Sequence, residues 1–433
     1  MIKSHILHVS LRFFLISVTT TGLAEVKNPP LPDPITLKSA LSLLDEPHPS
    51  IEIKEHSLNQ AELEKELVES NTDFDLRLDT QARYIDPPKI MRPYGREDHR
   101  AVIEAQKVLY DFGRTESSVS AANKNVQIAQ LTLSKAKQLR KIDIMQGFFA
   151  VVLADLQYEY DNESMAIYYV TYDRAKQKQK LGQLSDIEVL RDQSEYMEVR
   201  RNRFRSEAAQ RIRRVEFSIL LNRPEQIISH FIQPKLDYAK YQLIDAEKLQ
   251  TQAVANNLDL KILRKKRQQL KEEIQSIHAK RYPILTATAE AGLYSRGIGN
   301  NDAWRLGVGL EVPIYQGDRV SKAEAIKNEM VSQLNLEIYS KEQEIKSEVL
   351  SLVMDIGALK KQLESARVGM DYRDVGLDKA RSLYQMEFKT DLGDSMVAMT
   401  GATKYQTETE FDIALKWEQL RYLTQMQLEN MHQ

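Results

Sequence analysis

Asp111-Phe112-Gly113 has the form of a Mg2+-holding triplet of the kind that orients nucleotide phosphates in phosphoryl transfer. Neither a Gly-rich loop nor a catalytic-loop motif accompanies it, so it reads as a turn in which Gly113 frees the backbone. The eight His residues are scattered, and no pair has metal-ligand spacing on one helix face. Cys is absent, which removes disulfides and thiolate metal sites. Carboxylates are abundant, yet none sits in an acid–base or nucleophile constellation. Arg200-Arg201-Asn202-Arg203, the group Arg211, Arg213 and Arg214, and Arg264–Arg267 are basic stretches. Acidic residues lie nearby and the net charge is −2, so these read as solvated helix faces and not as a nucleic-acid surface. No catalytic, cofactor-binding or metal-ligating residue is expected.

What remains is architecture. Gly (16) and Pro (13) are scarce in 433 residues and 28% of the chain is charged, a mix that points to long helices. At the start, Lys3 and Arg12 precede the apolar stretch Phe13–Val18, and Gly22 and Ala24 supply small residues before a cut after Ala24. Residues 1–24 therefore read as a signal peptide. No other stretch reaches 18 apolar residues, and the block from Phe148 to Ala154 is too short to span a bilayer. That block reads as a helix buried on several sides.

The chain repeats itself at an offset of 205 residues. Tyr110-Asp111-Phe112-Gly113-Arg114 matches Tyr315-Gln316-Gly317-Asp318-Arg319, and Ser185-Asp186-Ile187 matches Thr390-Asp391-Leu392. Two landmarks sharing one offset argue for an internal duplication. The expected division is a first repeat over 25–224, an irregular connector over 225–245 and a second repeat over 246–433. Each repeat runs helix, strand, loop, strand, long helix, tight turn, returning helix. Val119, Ala122, Val126, Ala129, Leu133 and Ala136 step by three and four, as do Ile345, Val349, Leu352, Ile356, Leu359, Leu363 and Ala366, which predicts coiled-coil seams. The Pro-free runs Thr115–Leu181 and Val320–Met386 would each extend roughly 100 Å at 1.5 Å per residue.

Four strands are expected, at about 73–84, 100–110, 284–294 and 303–313. Phe74, Leu76 and Leu78 alternate with Asp75, Arg77 and Asp79; Trp304, Leu306, Val308 and Leu310 alternate with Arg305, Gly307, Gly309 and Glu311. Such hairpins could face each other as a small sandwich or line a membrane barrel, with Phe74, Leu76, Leu78, Trp304, Leu306, Val308 and Leu310 facing lipid. About ten residues per strand suits an outer membrane. Four strands cannot close a barrel, and open edges in hydrocarbon cost several kcal/mol per unpaired group. A membrane reading therefore requires more than one copy of the chain: two copies in all give eight strands, three give twelve.

Ile35-Thr36-Leu37 with Ala40-Leu41, the junctions Tyr110–Arg114 and Val312–Gly317, Tyr282-Pro283, and Leu181-Gly182 with Ser185-Asp186 and Val189-Leu190 together resemble the TolC family of outer-membrane efflux and type I secretion channels. The resemblance runs over nearly all of residues 35–430. It implies a mainly α fold with a small β part: a homotrimer with a twelve-strand barrel in outer-membrane lipid and a long coiled-coil helical barrel in the periplasm. The loops 85–99 and 295–303 would face outside. It also implies a channel that does no bond chemistry, needs no cofactor, and works with a periplasmic adaptor and an inner-membrane pump or ABC transporter. The adaptor would meet the tips Gly182–Asp186, through Gly182, Leu184, Ser185 and Asp186, and Glu387–Asp391, through Phe388 and Thr390. Tyr384 and Lys389 fall where the family has a tyrosine and a basic residue that latch the closed state; Lys in place of Arg loses bidentate geometry. Gly393 falls nearest to the family's acidic constriction residue, flanked by Asp391 and Asp394. Three like charges there would favour cations. A periplasmic adaptor or scaffold with coiled-coil hairpins and no pore is the alternative; an adaptor would carry one hairpin inside a flanking β-rich domain.

Overall fold

The structure is a computed structural model, and it describes residues 30–87, 96–242, 245–296, 302–386, 388 and 391–426. The signal-peptide expectation at 1–24 lies outside these residues, as do Lys389, Thr390, Glu387 and most of the two expected outward loops.

The elements run β1 (Ile35–Thr36), α1 (Leu37–Ser42), α2 (Pro49–Glu69), β2 (Asp75–Gln81), β3 (Arg100–Tyr110), α3 (Arg114–Lys180), α4 (Asp186–Leu220), β4 (Phe231–Ile232), α5 (Ala246–Asn256), α6 (Leu258–Ala279), β5 (Ile284–Tyr294), β6 (Trp304–Glu311), α7 (Arg319–Gln385) and α8 (Leu392–Thr424). The long helices α3 and α7 have 67 residues each, and α7 starts and stops 205 residues after α3. Gly113 enters α3 with φ +84° and Gly317 precedes α7 with φ +63°, a conformation in which a Cβ is strained. The Asp111 carboxylate accepts from the Thr115 backbone N–H at 2.8 Å, so the Asp-Phe-Gly triplet caps a helix.

Away from the sheet, helices lie side by side in the order α4, α3, α8, α7. Nearer the sheet the order is α2, α3, α6, α7. α4 therefore bounds one side of the lower layer and α2 one side of the upper, while α7 bounds the other side throughout. Between the levels sits an irregular belt, where β1 pairs in parallel with β4. Two apolar clusters fill it. In one, Phe149 stacks on Phe411 at 4.1 Å and Phe148 meets Phe217 and Phe231. In the other, Trp417 is surrounded by Leu249, Leu260, Ile345, Val349 and Ile356. The block Phe148–Val152 is buried by helices on several sides.

The predicted seams differ in depth. Ile345, Val349, Leu352, Ile356, Leu363 and Ala366 are buried on α7, with Leu359 half-buried. On α3 only Val126 is buried; Val119, Ala122, Ala129, Leu133 and Ala136 are half-buried, and Ala121 and Ile128 go deeper. The reason is that α2 and α6 flank α3 on two sides, so no single stripe carries its packing.

Candidate functional site: a one-sided sheet and two hairpin tips

The four long strands form one antiparallel sheet in the order β2-β3-β5-β6. Two strands are shorter than expected. β2 covers 75–81, not 73–84, and β6 covers 304–311, not 303–313. Phe74 thus precedes its strand, although it stays on the apolar side with the Lys107 ammonium 4.7 Å from its ring. Tyr84 makes only an isolated bridge to Glu97.

Register turns alternation into two faces. Leu76 pairs with Ala105, Ala105 with Ala289, and Ala289 with Leu306. The next row on the same face is Leu78, Ile103, Ala291 and Trp304. Leu76, Leu306 and Trp304 are 71%, 72% and 69% exposed, although they are the largest apolar side chains of these rows. On the opposite face, one row reads Arg77, Glu104, Glu290, Arg305, and Arg305 pairs with Glu290 at 2.7 Å. Gln106 and Thr288 lie on this polar face too. Among the described residues, the outer edges of β2 and β6 pair with no strand.

The tips are built by repeated chemistry. Leaving α3, the Gln183 N–H donates to Lys178 O at 2.9 Å around Gly182 at φ +68°. Leaving α7, the Phe388 N–H donates to Leu383 O at 3.0 Å, the same closure 205 residues on. The returning helices start differently. Ser185 and Glu188 form a reciprocal capping box on α4, with the Ser185 N–H donating to the Glu188 carboxylate at 3.0 Å. These bonds hold the Glu188 carboxyl below its ordinary range. Asp186 accepts from Gln179 at 2.7 Å. No side chain caps α8 at Asp391.

Leu184 is half-buried, whereas Gly182, Ser185 and Asp186 on the first tip and Tyr384, Phe388, Asp391 and Asp394 on the second are exposed. Tyr384, Asp391 and Asp394 thus share one tip, and Lys389 lies outside the described residues. Gly393 has a separate role. A Cβ there would stand 2.3 Å from Ile167 Cδ1 and 3.0 Å from Ile167 Cγ1. The bare backbone lets α8 close onto α3 within one chain, and a side chain at position 393 would have to push Ile167 aside. Gly393→Asp is expected to cost about 1–3 kcal/mol in chemical unfolding by overpacking. Ile167→Ala in the same chain should recover most of that loss, and no recovery would mean another contact sets the spacing.

Sequence reasoning missed one polar centre. Glu418 is 1% exposed within the apolar run Ile413, Ala414, Trp417, Leu420. It accepts from Lys141 Nζ at 3.0 and 3.1 Å, from Tyr238 OH at 3.0 Å and from Arg421 Nε at 2.7 Å. Burial pushes its pKa up, but Lys141 and Arg421 outweigh this and hold it below the ordinary carboxylate range. A carboxylate on an apolar stripe was a visible signal; its partners, far away in the chain, were not.

Among the described residues no cluster of three His, Asp or Glu could hold a metal, and no helix is long and apolar enough to cross a membrane. Residues 249–386 match the family model of the outer membrane efflux proteins. The outer membrane protein VceC of Vibrio cholerae superposes with a TM-score of 0.70 at 15% identity, covering 90% of this chain and 95% of that one. The fold is that of the outer-membrane efflux channels. The CmeC outer membrane channel of Campylobacter jejuni gives a TM-score of 0.73 at 11% identity, over 90% and 85% of the two chains. The MtrE outer membrane channel of Neisseria gonorrhoeae, in its open state, gives 0.69 at 12%, over 92% and 90%. No curated protein matches the sequence.

Proposed function

We propose that this chain is one protomer of a trimeric outer-membrane channel that passively conducts cargo across the outer membrane and much of the periplasm. A periplasmic adaptor joins it to an inner-membrane pump or ABC transporter, which supplies the energy. The observation that carries this reading is the sheet: one face apolar and exposed, the other charged, and both edges unpaired among the described residues. In water the apolar face is a liability, and in lipid the open edges are. A ring of copies, each β6 beside the next copy's β2, removes both problems.

The helices support the same closure. Phe204, Ala208 and Val215 on α4 point away from α3, opposite the inward Ser206 and Val199. Val368, Tyr372 and Val375 on α7 are likewise exposed, opposite the buried Ala366 and Leu377. Asn202 on α4, Tyr160 on α3, Gly401 on α8 and Gly369 on α7 line one cavity, so all four helices share that height. Cyclic symmetry preserves height along the axis. Phe204 of one copy therefore meets Tyr372 of the next, with Arg200, Arg201 and Arg205 near Asp371 and Asp374. An adaptor would instead carry a single hairpin; here two hairpins hang from one sheet.

At the far end, Tyr384, Lys389, Asp391 and Asp394 gate the passage, and Gly182, Leu184, Ser185, Asp186, Phe388 and Thr390 meet the adaptor. Planar-bilayer recording on detergent-purified protein tests this. A trimer with small conductance that grows on Tyr384→Ala with Lys389→Ala is expected. The chain has no native Cys, so Phe204→Cys with Tyr372→Cys should cross-link three copies cleanly on oxidation. A soluble monomer without conductance would overturn the channel.

A further inference from the structure

A cavity of about 510 Å3 lies where the first turn of α2 meets the middle of α3 and the last turn of α8. Arg140 lines it and is only 5% exposed. Among the described residues its guanidinium makes no ion pair. Nη1 reaches Leu220 O at a long 3.4 Å, and Nε has no acceptor. Asp143, three residues on, stands beyond ion-pair distance and acts on Arg140 only at longer range. A charge buried to this degree is ordinarily matched by a partner.

The other charges around the cavity do not supply one. Lys141 and Arg421 are committed to Glu418, and Lys137 pairs with Glu55 at 3.3 Å. Of the carboxylates, Glu46 is held by Arg223, while Asp45 and Glu52 are exposed to solvent. The N-terminus of the 21-residue α2 also opens here, with the His48 ring accepting from the Ser50 N–H at 3.2 Å. Its dipole adds positive potential on the same side as Arg140.

We propose that this cavity binds a small dissolved oxyanion, a phosphate or carboxylate group whose oxygens accept from the terminal guanidinium nitrogens of Arg140. The volume is within the range of small-molecule sites. Arg140 lies 26 residues along α3 from Arg114, about 39 Å at 1.5 Å per residue. A lipid head group beside the sheet does not reach it, so the ligand comes from solution. No residue of the proposed pore or its tips takes part.

The test is thermal unfolding of the full chain in detergent, in sodium phosphate and in sodium chloride at equal ionic strength. Phosphate is expected to raise the wild-type Tm saturably by about 2–4 °C above chloride. Arg140→Met should abolish that increment yet unfold in chloride at or above the wild-type temperature, since it removes an unpaired buried charge. Arg140→Lys should retain only part of the increment, having lost the planar fork. The proposal falls if wild type shows no saturable phosphate increment, or if Arg140→Met keeps it. It falls equally if Arg140→Met unfolds well below wild type in chloride or fails to fold, which would assign Arg140 to capping α4 through Leu220.

Discussion

Leu306→Arg is expected to prevent stable insertion of the protein into the outer membrane. Leu306 stands in a row with Leu76, Ala105 and Ala289, on the sheet face whose large side chains are exposed. An Arg near the bilayer midplane on a lipid-facing strand costs about 2–4 kcal/mol, and a trimer would carry three of them. The matched control is Gln106→Arg. Gln106 is also exposed but belongs to the row Asp75, Gln106, Thr288, Gly307 on the polar face. The amount of folded protein in washed outer membranes reports both variants. Near-total loss for Leu306→Arg beside normal levels for Gln106→Arg is expected. Equal levels would mean that the apolar face does not contact lipid.

Glu418→Ala should destabilise the folded chain by about 3–5 kcal/mol, because it leaves Lys141 and Arg421 without a counter-charge in a buried setting. It also removes the acceptor of Tyr238 OH, whose ionisation is pushed upward by burial and by the adjacent Glu418. The tie joins α3 of the first repeat, the connector and α8 of the second, so its loss should loosen the belt rather than the sheet. The pH dependence has a definite sign. The folded-state pKa of Glu418 lies below its ordinary 4.5, so its stabilisation is fully present above that value and is lost as the pH falls through the folded pKa. The gap in unfolding free energy between wild type and Glu418→Gln should therefore be constant near neutrality and close in acid. A gap that widened in acid would contradict the ion-pair account.

The periodicities were legible without coordinates. Leu76 and Leu78 alternate with Arg77, and that alone places them on one face of any strand they join. The Pro-free runs after Gly113 and after Gly317 became helices of equal length because nothing in them breaks the backbone ladder. The expected strand ends overran by one to three residues because pairing, not side-chain type, ends a strand: Phe74 and Ala82 continue the pattern but have no ladder partner. The α3 seam misled for a different reason. A heptad assumes one partner, and α3 has neighbours on several sides.

At the second tip, the packing changed what one residue means. Gly393 looked like a missing acid. Against Ile167 it is the absence of a side chain that lets two helices touch. Glu418 and Arg140 show the same limit from the other side. Both are charged residues within helices, and local pattern cannot distinguish a carboxylate with three donors from a guanidinium whose one acceptor is a distant backbone carbonyl.

The sequence by itself determined the kinds of element, the equal length of the two long helices and the presence of one greasy face on each hairpin, because these follow from side-chain periodicity and backbone chemistry over a few residues. Only the tertiary structure decided that the strands order as β2-β3-β5-β6, that α4 and α7 stand at opposite sides of the lower layer, and which charges are answered. Those facts depend on contacts between residues tens to hundreds of positions apart, where the energy comes from shape and burial, and a one-dimensional pattern carries no record of who the neighbour is.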